Sequence, residues 1–236
     1  MQILRHKRVG STNAEALTLA AKGCLEWTIV VADEQTAGRG RSGKFWDSPR
    51  GGLWCSIVLR PDLPSGSLPV IQFFVANSAR RMLERAIGTR VGVKWPNDLI
   101  VKGLKVGGIL VEGRLVGTRI EFAVAGVGIN LNVQPSSLPQ GATSTFNITG
   151  RLLNRDQVLA ALLEDLESSY SDIHNKEKIF RDWWENCVHR LKPVTVVRSE
   201  DSISGISTGI SPSGYLNVKT SKGDTLEIPE GSIQFS

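Results

Sequence analysis

Apolar residues along this chain fall into two rhythms, and a third texture replaces both near its end. The first helical rhythm follows residue 11, where Ala14, Leu17 and Ala21 recur at spacings of three and four. Thr12-Asn13-Ala14-Glu15 fits a capping box at its start, and Gly23 supplies the stop. "WTIVVADE" and "GLWCSIVLRP" read as strands, rich in β-branched and aromatic residues. A long helix is predicted over 68–87, with Ser67 as N-cap, Pro69 in its first turn and Gly88 just past its end. "VGVKWP", "DLIV", "KVGGILVEGR" and "TRIEFAVAGVGIN" then read as a run of hairpin strands separated by glycines. Two helices follow, near 155–173 and 176–187. Phe180, Trp183, Trp184 and Cys187 share one face of the second, a spacing that means core more often than cofactor box.

Pro193 opens the third texture: short alternating strands with glycine turns and no helical run. That pattern predicts a small β-barrel beginning at residue 189. The expected fold is therefore α+β, because strands and helices come in blocks. A mixed β-sheet domain with packed helices occupies 1–188, and the barrel occupies 189–236.

Composition narrows the class without choosing a function. The chain has 236 residues, 41% hydrophobic and 22% charged, as a globular protein does. No apolar run approaches the ~18 residues of a membrane span, and the N-terminus lacks a signal-peptide core. Cys24, Cys55 and Cys187 are odd in number and never form a C-x-x-C pair, so a reducing, cytoplasmic setting is expected and a zinc site is not. The net charge of +5 suits anionic ligands.

The sharpest candidate for an anion site is "GRGRSGK", residues 38 to 44. Its first six letters match G-x-G-x-x-G, but Pro49, Gly51 and Gly52 leave no room for the helix that motif must open. The stretch also matches the first seven positions of a P-loop, yet the eighth is Phe45 where Ser or Thr would ligate magnesium. A third reading needs no helix. Glycines let the backbone approach a ligand, arginine forks grip phosphate or carboxylate, and Trp46 can cover a flat ring. Three like charges among glycines also predict a loop, 38–46, that is mobile until an anion orders it.

Other motifs accompany that loop in order: "GSTN" at 10–13, "SPRGGLW" at 48–54, "VKWPNDL" at 93–99, "KVGGIL" at 105–110 and "GVGINLN" at 126–132. Together they resemble the biotin protein ligases, strongly from about residue 5 to 132 and more weakly to the C-terminus. The resemblance implies an SH3-like form for the C-terminal barrel. It implies an enzyme that joins biotin to ATP as biotinyl-5′-AMP, with Mg²⁺, and passes biotin to a lysine of a biotin carboxyl carrier protein. A homodimer is implied too, and so is the form without an N-terminal DNA-binding domain, since the ligase motifs begin within ten residues of Met1. DNA and membrane are not expected partners.

Residue roles follow from the same resemblance. Ser11, Thr12, Asn13 and Gln35 would line the biotin head, with Gly38, Gly40, Gly107 and Gly108 beside it. Thr12 has a second reading as an N-cap, and Gln35 as a strand end. Arg39 and Arg41 match the ligand-gripping loop and would meet both biotin and ATP; Arg39 is also a catalytic candidate. Lys44 stands where arginine is usual, which keeps the charge and loses the fork. Lys105 is the expected central catalytic cation, between biotin carboxylate and α-phosphate. Trp46, Lys94, Asn97, Asp98 and Asn130 complete the ATP side. Asp98 would assist Mg²⁺ or the acceptor lysine, Asn130 would meet adenine or a metal-bound phosphate, and no side-chain cluster forms a metal cage. Asn97 and Asn130 also read as turn residues. The nearest alternative is a lipoate or octanoate ligase or transferase of the same fold. A nucleic-acid binder fits poorly, because the motif cations sit at glycine turns and Glu164, Asp165 and Glu167 offset charge on the helices.

Overall fold

The structure is a computed structural model and describes residues 1–198 and 201–235. Strands β1 (Gln2–His6), β2 (Thr28–Ala32), β3 (Leu53–Leu59), β4 (Gly92–Lys94), β5 (Asp98–Val101), β6 (Leu104–Val116) and β7 (Arg119–Ile129) form one sheet. Its order is β1-β2-β3-β7-β6-β5-β4, with β1 parallel to β2 and every other pair antiparallel. The hairpins predicted from β4 to β7 are present. Edge strand β1 was not foreseen, because "QILRH" is half charged or polar and only one neighbour supports it.

Alternation along the central strands sends their side chains to opposite faces. Val30, Val58 and Val124 join a small cluster with Ala16 and Ala20 of α1 (Thr12–Ala21). Ile29, Val31, Ile57, Leu59 and Ala125 face the larger core, beneath α2 (Leu68–Ile87). The predicted stripe of α1 is corrected: Thr12, Asn13, Ala16 and Ala20 are the buried positions, and its N-cap is Ser11, whose side chain accepts from the Ala14 amide. Small residues win that face because the helix lies close on β7. A Cβ at Gly126 would come within 2.2 Å of Asn13 Oδ1.

Helix α2 matches its predicted bounds, with Gly88 in the left-handed conformation at its end. A short helix α3 (Thr145–Thr149) was not predicted; five residues carry too little periodicity. Helix α4 (Arg155–Ser168) stops earlier than expected, and a 3₁₀ turn over Tyr170–His174 links it to α5 (Lys176–Glu185). Both pack on α2: Asp165 of α4 sits between Arg81 and Arg85 at 2.6 Å each, and Asp182 of α5 meets Arg81 at 3.1 Å. Burial pushes the Asp165 pKa up, but hydrogen bonds from the two arginines outweigh it and hold the carboxyl below its ordinary range. Phe180, Trp183 and Cys187 are core, as their spacing predicts.

The C-terminal strands are β8 (Pro193–Val197), β9 (Ser202–Ile210), β10 (Leu216–Lys219), β11 (Thr225–Ile228) and β12 (Ser232–Phe235), ordered β11-β10-β9-β8-β12. All pairings are antiparallel, as short hairpins require, but the barrel is not closed: β11 and β12 are the two edges. Strand β9 pairs through its first half with β8 and through its second with β10, changing partner at Ile206. Val194, Val196, Leu216, Val218 and Ile233 extend the main core.

One buried polar group lies where the two sheets meet. Nothing of His189 reaches solvent; its Nε2 takes the Trp95 amide at 3.1 Å and its Nδ1 lies 3.1 Å from Ser207 Oγ. Burial, with Lys94 and Lys192 adding repulsion, pushes its pKa down to about 3. The unfolded ring binds a proton near pH 6.5, so stability is lost as pH falls from about 6.5 toward 3. By pH 5.5 this group alone removes about 1.4 kcal/mol. Urea unfolding of the wild type and His189→Gln at pH 7.5 and 5.5 checks this. The wild type should lose that much more than the variant, and equal losses would contradict it.

Candidate active site

The ends of these strands and the loop after β2 enclose a cleft of about 500 Å³. At one end, helix α1 begins with buried polar side chains. Gln35 Oε1 accepts from the Thr12 amide at 2.8 Å and its hydroxyl at 3.0 Å, while Gln35 Nε2 donates to Ser48 at 2.8 Å. Asn13 Nδ2 donates to Glu112 at 2.8 Å, and the Ser56 hydroxyl lies 2.6 Å from Asn13 Oδ1. Ser11, Thr12, Asn13 and Gln35 thus converge as expected, and Thr12 is not the N-cap. Ser56 and Glu112 were missed; they lie on β3 and β6, in stretches that otherwise read as core.

The basic loop forms one long wall. Backbone bonds from Gly40 to the Lys44 carbonyl (2.7 Å) and from Trp46 to the Gly38 carbonyl (3.0 Å) close it on itself. Ser42 and Gly43 turn the chain in the left-handed region, at φ 52° and 72°. These local bonds hold the loop in a closed shape. Arg39 approaches Glu112 at 3.7 Å, and the Arg41 guanidinium lies over the Trp95 ring at 5.9 Å. Burial draws the Arg41 pKa below its ordinary value, opposed by Asp98 and Glu230.

Lys105 sits where β6 begins, in a short ion pair with Asp98 of β5, Nζ to Oδ1 2.5 Å. Its other side faces the Trp46 indole, 4.7 Å from the ring centroid, a contact worth about 0.5–2 kcal/mol. Trp46 already lies in the cleft. It spans Gly108 and Gly128, where an added Cβ would meet the indole at 3.2 and 2.8 Å. Its Nε1 is buried without an acceptor among the described residues. Lys94 lies across from this pair; burial lowers its pKa, with Lys105 pushing the same way and Asp98 opposing. Cys55 also lines the cleft, and burial raises its thiol to about 12, so it serves as a small apolar surface rather than a nucleophile.

Six cationic side chains (Arg39, Arg41, Lys44, Lys94, Lys105, Arg198) line the cleft against two carboxylates, Asp98 and Glu230. Arg198, just after β8, and Glu230, between β11 and β12, were not predicted, since neither lies in a motif. Asn97 is at the cleft and donates to the Ile109 carbonyl at 2.9 Å. Three expected residues lie off the main lining. Gly38 borders the shallow space beneath the loop. Gly107 lets β6 approach β7, since a Cβ there would stand 2.7 Å from the Gly128 carbonyl. Asn130 is buried and donates to the Thr143 carbonyl at 3.0 Å, holding the segment that pairs with Lys105. Among the described residues no three His, Cys, Asp or Glu side chains gather to hold a metal ion. No helix among them is long and apolar enough to cross a membrane.

A cleft lined by six cations, with a polar pocket at one end, suits anionic ligands. Comparison with known proteins agrees. Residues 7–130 match the model of the biotin/lipoate A/B protein ligase family, and residues 192–236 match the biotin protein ligase C-terminal domain. A bifunctional ligase/repressor BirA of Bacillus subtilis is 34% identical over 94% of this chain and 70% of its own length. A biotin–[acetyl-CoA-carboxylase] ligase of Paracoccus denitrificans is 31% identical over 97% of this chain and 98% of its own. The structure superposes on the biotin protein ligase from Aquifex aeolicus in complex with biotin and ATP. There the TM-score is 0.82 and the identity 28%, covering 99% of this chain and 97% of that one.

The seat of the indole can be tested directly. Gly128→Ala puts a methyl group 2.8 Å from Trp46 Nε1 and should expel the ring. Tryptophan emission should shift to longer wavelength in that variant and not in Gly128→Ala made on Trp46→Phe. An unshifted spectrum would mean that Trp46 does not occupy this seat.

Proposed function

This chain belongs to the biotin/lipoate A/B protein ligase family, and we propose that it is the ligase that joins biotin to ATP and then to a carrier lysine. The observation that carries the reading is the Lys105–Asp98–Trp46 arrangement at the centre of a cation-lined cleft. The match of residues 192–236 to the biotin ligase C-terminal domain favours biotin over lipoate or octanoate.

The chemistry asks one anion to attack another. A biotin carboxylate oxygen bonds to the α-phosphorus of ATP, the bond to the β-phosphate oxygen breaks, and pyrophosphate leaves. Lys105, fixed at a strand start, offers its charge to both reacting groups, and Arg39 and Arg41 neutralise the remainder. Ser11, Thr12, Asn13 and Gln35 hold the biotin head through donors and acceptors already oriented by one another, with Gly40 and Gly108 giving close approach. Lys44, Lys94 and Asn97 serve the nucleotide, and Asn130 serves it by bracing the wall behind Lys105. Mg²⁺ enters with ATP as substrate, the usual form where phosphates supply most ligands. In the second step the carrier lysine's amine attacks the biotinyl carbonyl and AMP leaves; Asp98, once Lys105 turns to substrate, is the nearby carboxylate for the amine's proton. The acceptor is a biotin carboxyl carrier protein of a biotin-dependent carboxylase. Residues 1–188 form the biotin- and ATP-binding unit, 189–236 the unit closing the cleft, and two copies associate as a homodimer in a cytoplasmic setting.

ATP–pyrophosphate exchange should require biotin and Mg²⁺, and equal exchange with lipoate or octanoate would overturn the assignment. Lys105→Ala should slow adenylation ~100-fold or more while biotin affinity changes far less, as for an oxyanion-type donor. Adenylation within a few-fold of wild type would remove Lys105 from that role. Trypsin should cut at Arg39, Arg41 and Lys44 more slowly with biotin and MgATP present; equal rates would make the loop a bystander.

A further inference from the structure

The turn that joins Lys94 to Asp98 is too short to fix itself. Residues 95–97 form the turn between β4 and β5, and β4 is an edge strand of three residues. Asn97 ties one end of this turn to Ile109 by a reciprocal pair, with the Ile109 amide donating to the Asn97 carbonyl at 2.9 Å. Gln72 of α2 donates to the Pro96 carbonyl at 3.0 Å. The remaining end, the Trp95 amide, is held by His189.

The partners settle the protonation of that ring. A backbone amide can only donate, so Nε2 is the acceptor at 3.1 Å and the neutral ring carries its proton on Nδ1. Ser207 Oγ of β9, 3.1 Å away, accepts a hydrogen bond from that N–H, and its own hydroxyl donates to the His189 carbonyl. His189 and Ser207 are both fully buried. The segment before His189 adds to the edge of β4: the Val93 amide donates to the Asn186 carbonyl at 3.0 Å and Val188 donates back at 2.9 Å. Trp183 and Trp184 meet the imidazole edge-on with centroids 6.3 and 6.2 Å away. The ring therefore has one orientation, and it transmits the position of the C-terminal sheet to the Trp95 backbone. On the far side of Trp95 lies the Arg41 guanidinium, and three residues on lies Asp98 against Lys105.

We propose that His189 is a positioning residue for the ligase reaction, setting the Trp95–Asp98 turn and so the register of Arg41, Asp98 and Lys105 on the nucleotide side of the cleft. This rests on the ligase reading above. The Thr12–Gln35 cluster is held by α1 and its own hydrogen bonds, so the biotin head should be insensitive to His189.

Three substitutions separate positioning from bulk stability. His189→Gln reaches the Nε2 position with an amide oxygen and keeps the acceptor for Trp95. His189→Asn reaches only the Nδ1 position, and His189→Leu fills space with no polar atom. Exchange kinetics with ATP varied and biotin saturating should give a kcat/KM for ATP within about threefold of wild type for Gln. For Asn and Leu it should fall about tenfold or more, as expected when a buried amide loses its partner. Biotin affinity by calorimetry should stay within about twofold in all three, because that pocket is built elsewhere. Ser207→Ala keeps the ring and should weaken ATP use in the same direction, which serves if the His189 variants do not fold. Unchanged ATP kinetics in the Asn, Leu and Ser207→Ala proteins would overturn the proposal, as would a parallel loss of biotin affinity. A wild type without biotin-dependent exchange would instead strike at the ligase reading itself.

Discussion

The constraint on which this molecule turns is the crowding of cations. Two like charges 4 Å apart repel by about 1 kcal/mol in water and about 4 kcal/mol near a protein surface. The cleft gathers six cationic side chains, and burial already draws Arg41 and Lys94 away from their charged forms. Without counter-charges such a wall would splay into solvent. Asp98, Glu230, Glu112 and the face of Trp46 supply the compensation, each to a cation that substrate will need. On the proposed ligase reading, an arriving carboxylate and phosphate would take over these internal contacts, whose geometry is already set, the condition for electrostatic catalysis with little reorganisation.

The scaffold explains how that wall is held. Lys105 begins a long central strand, and its amide and carbonyl bind Gly141 and Thr143 at 2.9 and 2.8 Å, so the charge rides on fixed backbone. Glycines 108 and 128 leave the sheet bare for a flat group, now the indole. The β4–β5 turn borrows rigidity from three directions: Ile109, Gln72 and His189. Only the basic loop departs from the sheet, and even there two backbone bonds preserve its closed shape.

Most of this was legible in the sequence wherever a local rule operates. Helix α2 announced itself by its proline start and glycine stop, and the hairpins by β-branched runs between glycines. The motif cations and Gln35, Thr12 and Asn13 arrive at one cleft because each lies next to a turn that local residues specify. What was hidden depends on tertiary pairing. The parallel partner makes β1 a strand, although its own pattern does not. Small-residue packing, rather than apolar size, selects the buried face of α1. Asn130 also braces the chain, donating to the Thr143 carbonyl, a pairing that no local pattern announces. His189 and Glu230 carry no motif; the meeting of two sheets puts Glu230 in the cleft and His189 behind Trp95.

As the proposed ligase, this cleft should make and retain a biotin–adenylate. Mass spectrometry of the intact folded protein, after incubation with biotin and MgATP and removal of free ligand, reads it directly. One bound biotinyl-5′-AMP per chain is the expected result, absent when either substrate is omitted. A protein that binds biotin and ATP side by side without joining them, or retains neither, would contradict it.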